Sequence, residues 1–149
     1  MGYYLDANAL AKLYRPEIGT AIVERMINDS SGDCYISRLG LLEMHSVPAQ
    51  KARAGEISSS DSALVLQRFR EDVRVLALSV RHYETAEGFV DAYGPTHGLR
   101  TLDSLHLAAA MDLKSGELID SIVVADRALA RVAVAEGLLA IDPEAEIPD

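Results

Sequence analysis

Short apolar runs alternate with longer segments of helical periodicity along this chain, and that alternation limits the fold more than any other feature. The strand-like runs cover residues 3–5, 34–36, 73–78, 121–125 and 138–141. Residues 121–125 (Ser-Ile-Val-Val-Ala) are nearly all apolar, as in a parallel strand that is covered on both faces. Strands that alternate with helices favour an α/β fold. We therefore predict an α/β fold with a mostly parallel sheet.

The helical segments have start and stop signals that set their predicted bounds. They cover residues 9–14, 19–28, 39–54, 61–72, 80–93, 102–114 and 127–136. Ser37 is suited to cap a helix start, and Gly137 is suited to end a helix. Because proline disrupts helices, we expect Pro48 to kink the segment that contains it and the pair Gly94-Pro95 to end the segment before it.

The length and composition fit one globular domain. The chain has 149 residues, of which 49% are hydrophobic and 25% are charged, close to the averages for globular proteins. These values exclude a mostly disordered chain, a collagen-like fibre and a disulfide scaffold. We assign residues 1–141 to a single domain and residues 142–149 to an acidic tail. The formal net charge of −9 argues, by itself, against a nucleic-acid partner, because phosphate-binding surfaces are usually basic.

Neither the cysteine content nor the apolar segments point to secretion or to a membrane. Cys34 is the sole cysteine, and its place in a short strand favours a small core residue. The amino terminus lacks the basic and long apolar regions of a signal peptide, and no apolar stretch reaches the length of a membrane span. We predict a soluble, cytoplasmic protein in a reducing compartment.

Two acids directly follow strand-like runs. Asp6 follows residues 3–5, and Asp126 follows residues 121–125. Ligands of open α/β sheets bind beyond the carboxyl ends of the strands. Two acids on that edge would repel one another unless a cation lay between them. A simpler interpretation is open for Asp126, whose side chain is also suited to cap the helix that begins at Arg127.

Two further acids lie within apolar helical segments. Glu43 lies next to Leu42, and Asp103 precedes the almost uniformly apolar stretch 105–111. Charged groups at buried positions need partners or a metal ion, and Arg100 is the only base close to either acid in sequence. The simpler alternatives are that Asp103 caps a helix start and that Glu43 is exposed.

Four sequence blocks contain these acids in order, with compatible spacing. They are residues 4–14 (YLDANALAKLY), residues 36–38 followed by Glu43, residues 99–110 (LRTLDSLHLAAA), and residues 123–130 (VVADRALA) with residues 136–138. Together they resemble PIN-domain ribonucleases, in particular the VapC toxins of toxin–antitoxin pairs, over most of residues 3–141. The resemblance implies a three-layer α/β/α sandwich with a central, mostly parallel sheet of about five short strands.

The resemblance also assigns roles to the polar residues. The carboxylates that it implies to bind Mg²⁺ or Mn²⁺ and to carry the catalysis are Asp6, Glu43, Asp103 and Asp126. Such hard cations prefer oxygen ligands. Asn8 stands where the family more often has Thr or Ser, but its amide still suits a hydrogen bond to a metal-bound water, and Ser37 is expected to support the site in the same way. At Val124, where Thr or Ser is frequent, a hydroxyl is lost.

The implied activity is endoribonuclease cleavage of RNA phosphodiester bonds by a metal-activated water, which leaves 3′-hydroxyl and 5′-phosphate ends. The implied partners are a cognate VapB-like antitoxin and a second copy of the chain in a homodimer. The substrate-binding candidates, close in sequence to the acids, are Arg15, Arg38, Arg100 and Arg127. Their planar guanidinium groups suit either ion pairs with surplus carboxylates or contacts with phosphates. The basic residues between Lys51 and Arg81 fit a solvated helical face or an RNA contact equally well.

Other chemistries are alternatives. Asp103 and His106 have the spacing of a transition-metal motif, although a packed histidine fits better because di-iron sites need that motif twice. A Ser–His–Asp triad is compatible with the composition, but the chain has no Gly-x-Ser-x-Gly elbow. A Mg²⁺-dependent phosphatase or phosphotransfer domain is less favoured because Asp6-Ala7-Asn8 lacks a second carboxylate. A catalytically inactive PIN-fold binding protein is less favoured because all four acids are present.

This interpretation gives the acidic balance a local explanation. The four candidate ligands and the four acids of the tail account for eight of the nine net negative charges. The net charge therefore does not argue against an RNA substrate.

Overall fold

In a computed structural model, which describes residues 2–6, 9, 20–29, 33–56 and 58–144, five strands form one sheet. In chain order, β1 to β5 are Gly2–Leu5, Cys34–Ser37, Arg74–Leu76, Ile119–Val123 and Leu139–Ile141. Their order across the sheet is β3-β2-β1-β4-β5, and every neighbouring pair is parallel. The predicted α/β fold with a parallel sheet of five short strands is confirmed.

The described residues also form helices that lie between and after the strands. In chain order, α1 to α6 are Thr20–Asp29, Arg38–Arg53, Ser59–Asp72, Val80–His97, Thr101–Ser115 and Arg127–Ala135. Within the described residues, no helix is long and apolar enough to cross a membrane.

Helices cover both faces of the sheet. Successive residues of β1 point to opposite faces, and each packs against different helices. Tyr4 belongs to a buried cluster with Leu107 of α5 and Leu129 of α6. Its neighbour Leu5 belongs to a second cluster, which includes Met44 of α2. The three layers implied by the family resemblance are therefore present, and β1 lies at the centre of both cores.

Helix α5 is buried on almost all sides, which explains its nearly uniform apolar sequence. Ala109 packs in the cluster on the sheet, while Leu105 and Ala108 form a separate cluster with Ala86 of α4. The helix thus lies between the sheet and α4. Any polar side chain in its first turns has to find its partners inside the molecule.

The predicted caps are found at both kinds of helix end. The Ser37 hydroxyl accepts a hydrogen bond from the Gly40 amide at 3.1 Å and caps α2. Gly137 follows α6 with a φ of 91°, a left-handed conformation that favours glycine. Pro48 lies inside α2, which continues beyond it to Arg53. Cys34 is buried in β2, as predicted for a small core residue.

The prediction that Gly94-Pro95 ends a helix is wrong. Helix α4 continues to His97 and ends at Gly98, which has a φ of 68°. The Gly98 amide donates a hydrogen bond to the carbonyl of Gly94 at 3.1 Å. This bond completes the last helical turn, which contains Pro95. The rings of Tyr93 and His97 pack edge to face across this turn, with centroids 5.4 Å apart.

Strand β3 is shorter than predicted, because only Arg74–Leu76 of residues 73–78 pair with β2. It is an edge strand, so it has a partner on one side only. The helix expected over residues 10–14, the turn at residues 30–32 and the end of the acidic tail lie outside the described residues.

Candidate active site

Asp6 and Asp126 lie at the same edge of the sheet. Strands β1 and β4 are parallel neighbours, with Leu5 paired to Val123, and the Asp6 amide donates to the Val123 carbonyl at 3.3 Å. Because both strands end at this edge, the two acids that follow them are carried to it. The predicted meeting of these acids beyond the strand ends is consistent with this register.

Asp6 is a buried carboxylate in an acidic environment. Its Oδ1 accepts a hydrogen bond from the Ala9 amide at 2.8 Å. Burial raises the pKa of Asp6 from 3.8 to about 6, against the opposing effects of the Ala9 amide and His106. The negative charges of Asp103 and Glu43 raise this pKa further. Asp103 and Glu43 are therefore close enough to disfavour a negative charge on Asp6.

Asp126 has the capping role that was one of its two interpretations. Its Oδ1 accepts from the Leu129 amide at 2.9 Å and caps α6. Its Oδ2 faces Arg100, whose Nη2 lies 3.5 Å away. The cap uses one oxygen only, and the other faces a positive charge, that of Arg100, so capping does not conflict with a role in charge binding.

Asp103 lies in the first turn of α5, where its carboxylate has a hydrogen bond with the backbone of Arg100, the residue at the cap position. The Asp103 side chain is 17% exposed, and its Oδ2 is buried without a hydrogen-bond partner. Arg100 Nε approaches this oxygen to 3.7 Å. Burial raises the pKa of Asp103, and the charge of Asp126 raises it further. A buried carboxylate oxygen without a donor is the kind of group that a cation would satisfy.

Glu43 is not simply exposed. Its side chain is 28% exposed, and its Oε1 lies 2.7 Å from His106 Nε2. The other ring nitrogen, His106 Nδ1, lies 2.6 Å from the hydroxyl of Tyr4. Both nitrogens thus have protein partners, which favours the packed histidine over the transition-metal ligand. Sequence reasoning missed Tyr4 as a polar residue, although a tyrosine inside a buried strand needs a partner for its hydroxyl.

The substrate-binding candidates differ in their distance from the acids. Arg100 bridges Asp103 and Asp126, and its side chain is 78% exposed. Arg127 is exposed at the first position of α6. Arg38 is exposed at the start of α2, where it helps to line a cavity of about 590 Å³ that none of the four acids lines. Arg15 and Asn8 lie outside the described residues, and the Ser37 hydroxyl caps α2.

Ser79, His82 and Asp112 form a Ser–His–Asp hydrogen-bond arrangement, but its role is to stabilise a helix start and to link two helices. His82 Nε2 lies 2.7 Å from Asp112 Oδ2, and its Nδ1 accepts from the Ser79 amide at 2.9 Å. The Ser79 hydroxyl is 3.0 Å from the same nitrogen. Because a backbone donor already occupies Nδ1, this nitrogen is a poor base for the hydroxyl. The arrangement closes the first turn of α4 and links it to α5.

The carboxylates fit a hard cation by their chemistry, although their side chains are held apart. Among the residues that the structure describes, no three His, Cys, Asp or Glu side chains are grouped closely enough to hold a metal ion. Glu43 is engaged by His106, and Asp103 and Asp126 are engaged by Arg100. The Oδ2 of Asp103 has no hydrogen-bond donor, and burial raises the pKa of Asp6. Both features are expected of buried carboxylates that a cation would stabilise.

Known proteins resemble this chain in sequence and in fold. The PIN domain family model matches residues 3–135. The curated relatives Ribonuclease VapC45 and Ribonuclease VapC49, both from Mycobacterium tuberculosis, are each 30% identical over 134 residues, which is 90% of this chain and 90% of the relative. The crystal structures of PAE2754 from Pyrobaculum aerophilum and of FitAcB from Neisseria gonorrhoeae each match with a TM-score of 0.62 and cover 95% of this chain. The matches cover 91% and 97% of those chains at 20% and 18% identity, so they support the fold alone.

Proposed function

The chain belongs to the PIN domain family, and from this premise we propose that it is a metal-dependent endoribonuclease that acts as the toxin of a toxin–antitoxin pair. The observation that carries the proposal is the electrostatic coupling of four carboxylates around Asp6: Asp103 and Glu43 raise the pKa of Asp6, and Asp126 raises the pKa of Asp103. The names of the curated relatives, which are VapC ribonucleases, support RNA as the substrate.

The four carboxylates are the residues that would hold Mg²⁺ or Mn²⁺. Such an ion would supply a nucleophilic water at neutral pH and polarise the scissile phosphodiester. The protein's part is to present oxygen ligands from four elements: the ends of β1 and β4, helix α2 and the first turn of α5. Burial keeps bulk water away from Asp6, which strengthens its attraction to a cation once Asp6 is ionised.

Arg100 is suited to exchange its carboxylate partners for a phosphate of the substrate. Its guanidinium contacts Asp103 and Asp126 but remains largely exposed. A cation bound by these carboxylates would compete with Arg100 for them, and the released guanidinium would then be free to pair with a backbone phosphate. Arg127, next to Asp126 in sequence, is exposed on the same helix start and is a second candidate for such a contact.

The partners belong to the same proposal. A VapB-like antitoxin would inhibit the enzyme by covering the acidic edge, and the active species would be a homodimer. If a short reading frame lies directly upstream of this one, its product is the antitoxin to test. Co-expression with it should suppress the growth defect that the nuclease causes, and the two proteins should co-purify.

The decisive experiment compares carboxylate variants on RNA with Mg²⁺ or Mn²⁺. Asp6→Asn and Asp103→Asn should each lower cleavage by on the order of 100-fold or more, since loss of a ligand should exceed the effect of losing a ligand's hydrogen-bond partner. The matched control is Asp112→Asn, on the same helix as Asp103 but paired with His82 outside the site. It should cleave like the wild type.

The readouts are the rate of cleavage and the chemistry of the ends. The products should carry 5′-phosphates, detected by an exonuclease that requires them, and cleavage should stop with EDTA. Circular dichroism should report a folded chain for each variant. Undiminished cleavage by both Asp6→Asn and Asp103→Asn would sink the proposal.

A further inference from the structure

A buried line of hydrogen bonds runs from the centre of the sheet to Glu43. The Tyr4 hydroxyl in β1 lies 2.6 Å from His106 Nδ1 in α5, and His106 Nε2 lies 2.7 Å from Glu43 Oε1 in α2. Tyr4 is fully buried, and His106 is 3% exposed. Three separate elements thus contribute to one polar path that crosses an otherwise apolar core.

The direction of the donors along this path follows from the chemistry of its members. A tyrosine side chain is a neutral phenol at neutral pH, so Tyr4 has one O–H to donate. When that O–H points at His106 Nδ1, a neutral imidazole carries its proton on Nε2. The Nε2–H then donates to Glu43 Oε1. One tautomer satisfies every group along the line.

The imidazole has little freedom to adopt another orientation. The Tyr4 ring packs against it edge to face, with centroids 5.8 Å apart. On the side of α2, Gly40 has no side chain, and a Cβ added there would lie 3.5 Å from His106 Cε1. The ring is therefore enclosed between β1 and α2, with both nitrogens bonded.

We propose that Tyr4 and His106 are positioning residues that hold the Glu43 carboxylate ready for the cation. A free glutamate on a helix surface samples several rotamers, and their restriction would oppose metal binding. The His106 hydrogen bond fixes Oε1 and leaves Oε2 for the ion, while Tyr4 fixes the tautomer of His106. This inference rests on the proposed function, because it takes Glu43 as a ligand.

The test is the affinity of the full chain for Mn²⁺, measured by calorimetry and independent of RNA cleavage. His106→Leu keeps the bulk but removes both hydrogen bonds, and it should weaken Mn²⁺ binding by roughly 10- to 100-fold. Tyr4→Phe removes one hydroxyl and should weaken binding by several-fold. His106→Gln offers one acceptor and one donor at similar spacing, as the neutral imidazole does, and should restore most of the affinity lost in His106→Leu.

Two matched controls separate positioning from stability. His82→Leu removes a histidine–carboxylate bond of the same 2.7 Å length, and Tyr93→Phe removes a tyrosine–carboxylate bond, 2.6 Å from Tyr93 to Glu136. Both should lower the free energy of unfolding but leave the Mn²⁺ affinity within about twofold of the wild type. A structural role for Tyr4 and His106 alone would make their variants behave like these controls.

Each outcome decides the inference. If His106→Leu and Tyr4→Phe bind Mn²⁺ as tightly as His82→Leu and Tyr93→Phe, the positioning role is overturned, while the nuclease assignment stands as long as Asp103→Asn abolishes cleavage. If the wild type neither binds Mn²⁺ nor cleaves RNA, both proposals fail. Should His106→Leu not fold, the comparison of Tyr4→Phe with Tyr93→Phe carries the decision.

Discussion

At the scale of single residues, ionised Asp6 lowers the free energy of unfolding when no cation is present. Its carboxylate is buried, and its neighbours include two further acids, so ionisation is unfavourable in the folded chain. The pKa of about 6 lies above the ordinary value of 3.8. Between these two pH values the folded chain holds a proton that the unfolded chain has released. The metal-free protein therefore loses stability as the pH rises through this window.

Asp6→Asn should stabilise the metal-free protein at neutral pH. The amide keeps an acceptor for the Ala9 amide and cannot ionise. A shift of this size corresponds to on the order of 2–3 kcal/mol, fully present above about pH 6 and absent below about pH 4. Urea unfolding of both proteins in EDTA from pH 4 to pH 8 measures it. A difference between the two that does not grow with pH would contradict the buried, ionisable state of Asp6.

Single residues also show which features of the site can be predicted from the sequence. Charge and apolar context were enough to single out Glu43 and Asp103. The simpler alternative of an exposed Glu43 is wrong, whereas Asp103 does bond the backbone of Arg100 at the helix start. Their partners come from distant parts of the chain: His106 is 63 residues from Glu43, and Tyr4 is 102 residues from His106. No local pattern reports such pairs, because they depend on how α2 and α5 pack on β1.

At the scale of elements, the end of α4 shows why a local rule fails. The pair Gly94-Pro95 is a strong stop signal, yet the helix ends three residues later, at Gly98. Proline lacks an amide hydrogen and so costs one bond, but in the last turn that loss is offset by the cap bonds to the carbonyls of Tyr93 and Gly94. The caps at Ser37 and Gly137 depend on neighbouring residues only, and these were predicted.

Two glycines of α4 should respond in opposite directions to alanine. Gly98 has a φ of 68° and no atom within 4 Å of an added Cβ, so Gly98→Ala should cost about 1 kcal/mol through backbone strain alone. Gly88 lies within the helix, and its added Cβ would have no atom within 4 Å. Gly88→Ala should therefore be neutral or stabilise by up to about 1 kcal/mol. Thermal unfolding of the two variants checks this, and equal effects would refute the assigned helix end.

At the scale of the whole molecule, the strand order explains why the acids meet where they do. From β1 the chain adds β2 and β3 on one side, then crosses to add β4 and β5 on the other. The reversal lies between β1 and β4, at the strand ends that precede Asp6 and Asp126. Ligands of open α/β sheets bind at such a reversal. Sequence patterns predict parallel strands, but they do not report strand order. The position of the two acids at the reversal is therefore seen only in the fold.

Because the candidate site joins both halves of the sheet, metal binding should stabilise the entire domain. A ligand present at 100 times its Kd adds about 2.7 kcal/mol when it binds only the folded state. Mn²⁺ at that excess should raise the free energy of unfolding of the wild type by this amount and raise Tm in a concentration-dependent way. Asp112→Asn, whose carboxylate lies outside the site, should gain as much as the wild type. Asp103→Asn at the same Mn²⁺ concentration should gain little, because its site has lost a charged ligand whose buried Oδ2 has no hydrogen-bond donor. Equal stabilisation of all three proteins would mean that Mn²⁺ binds elsewhere on this acidic chain, and it would remove the four carboxylates as the metal site.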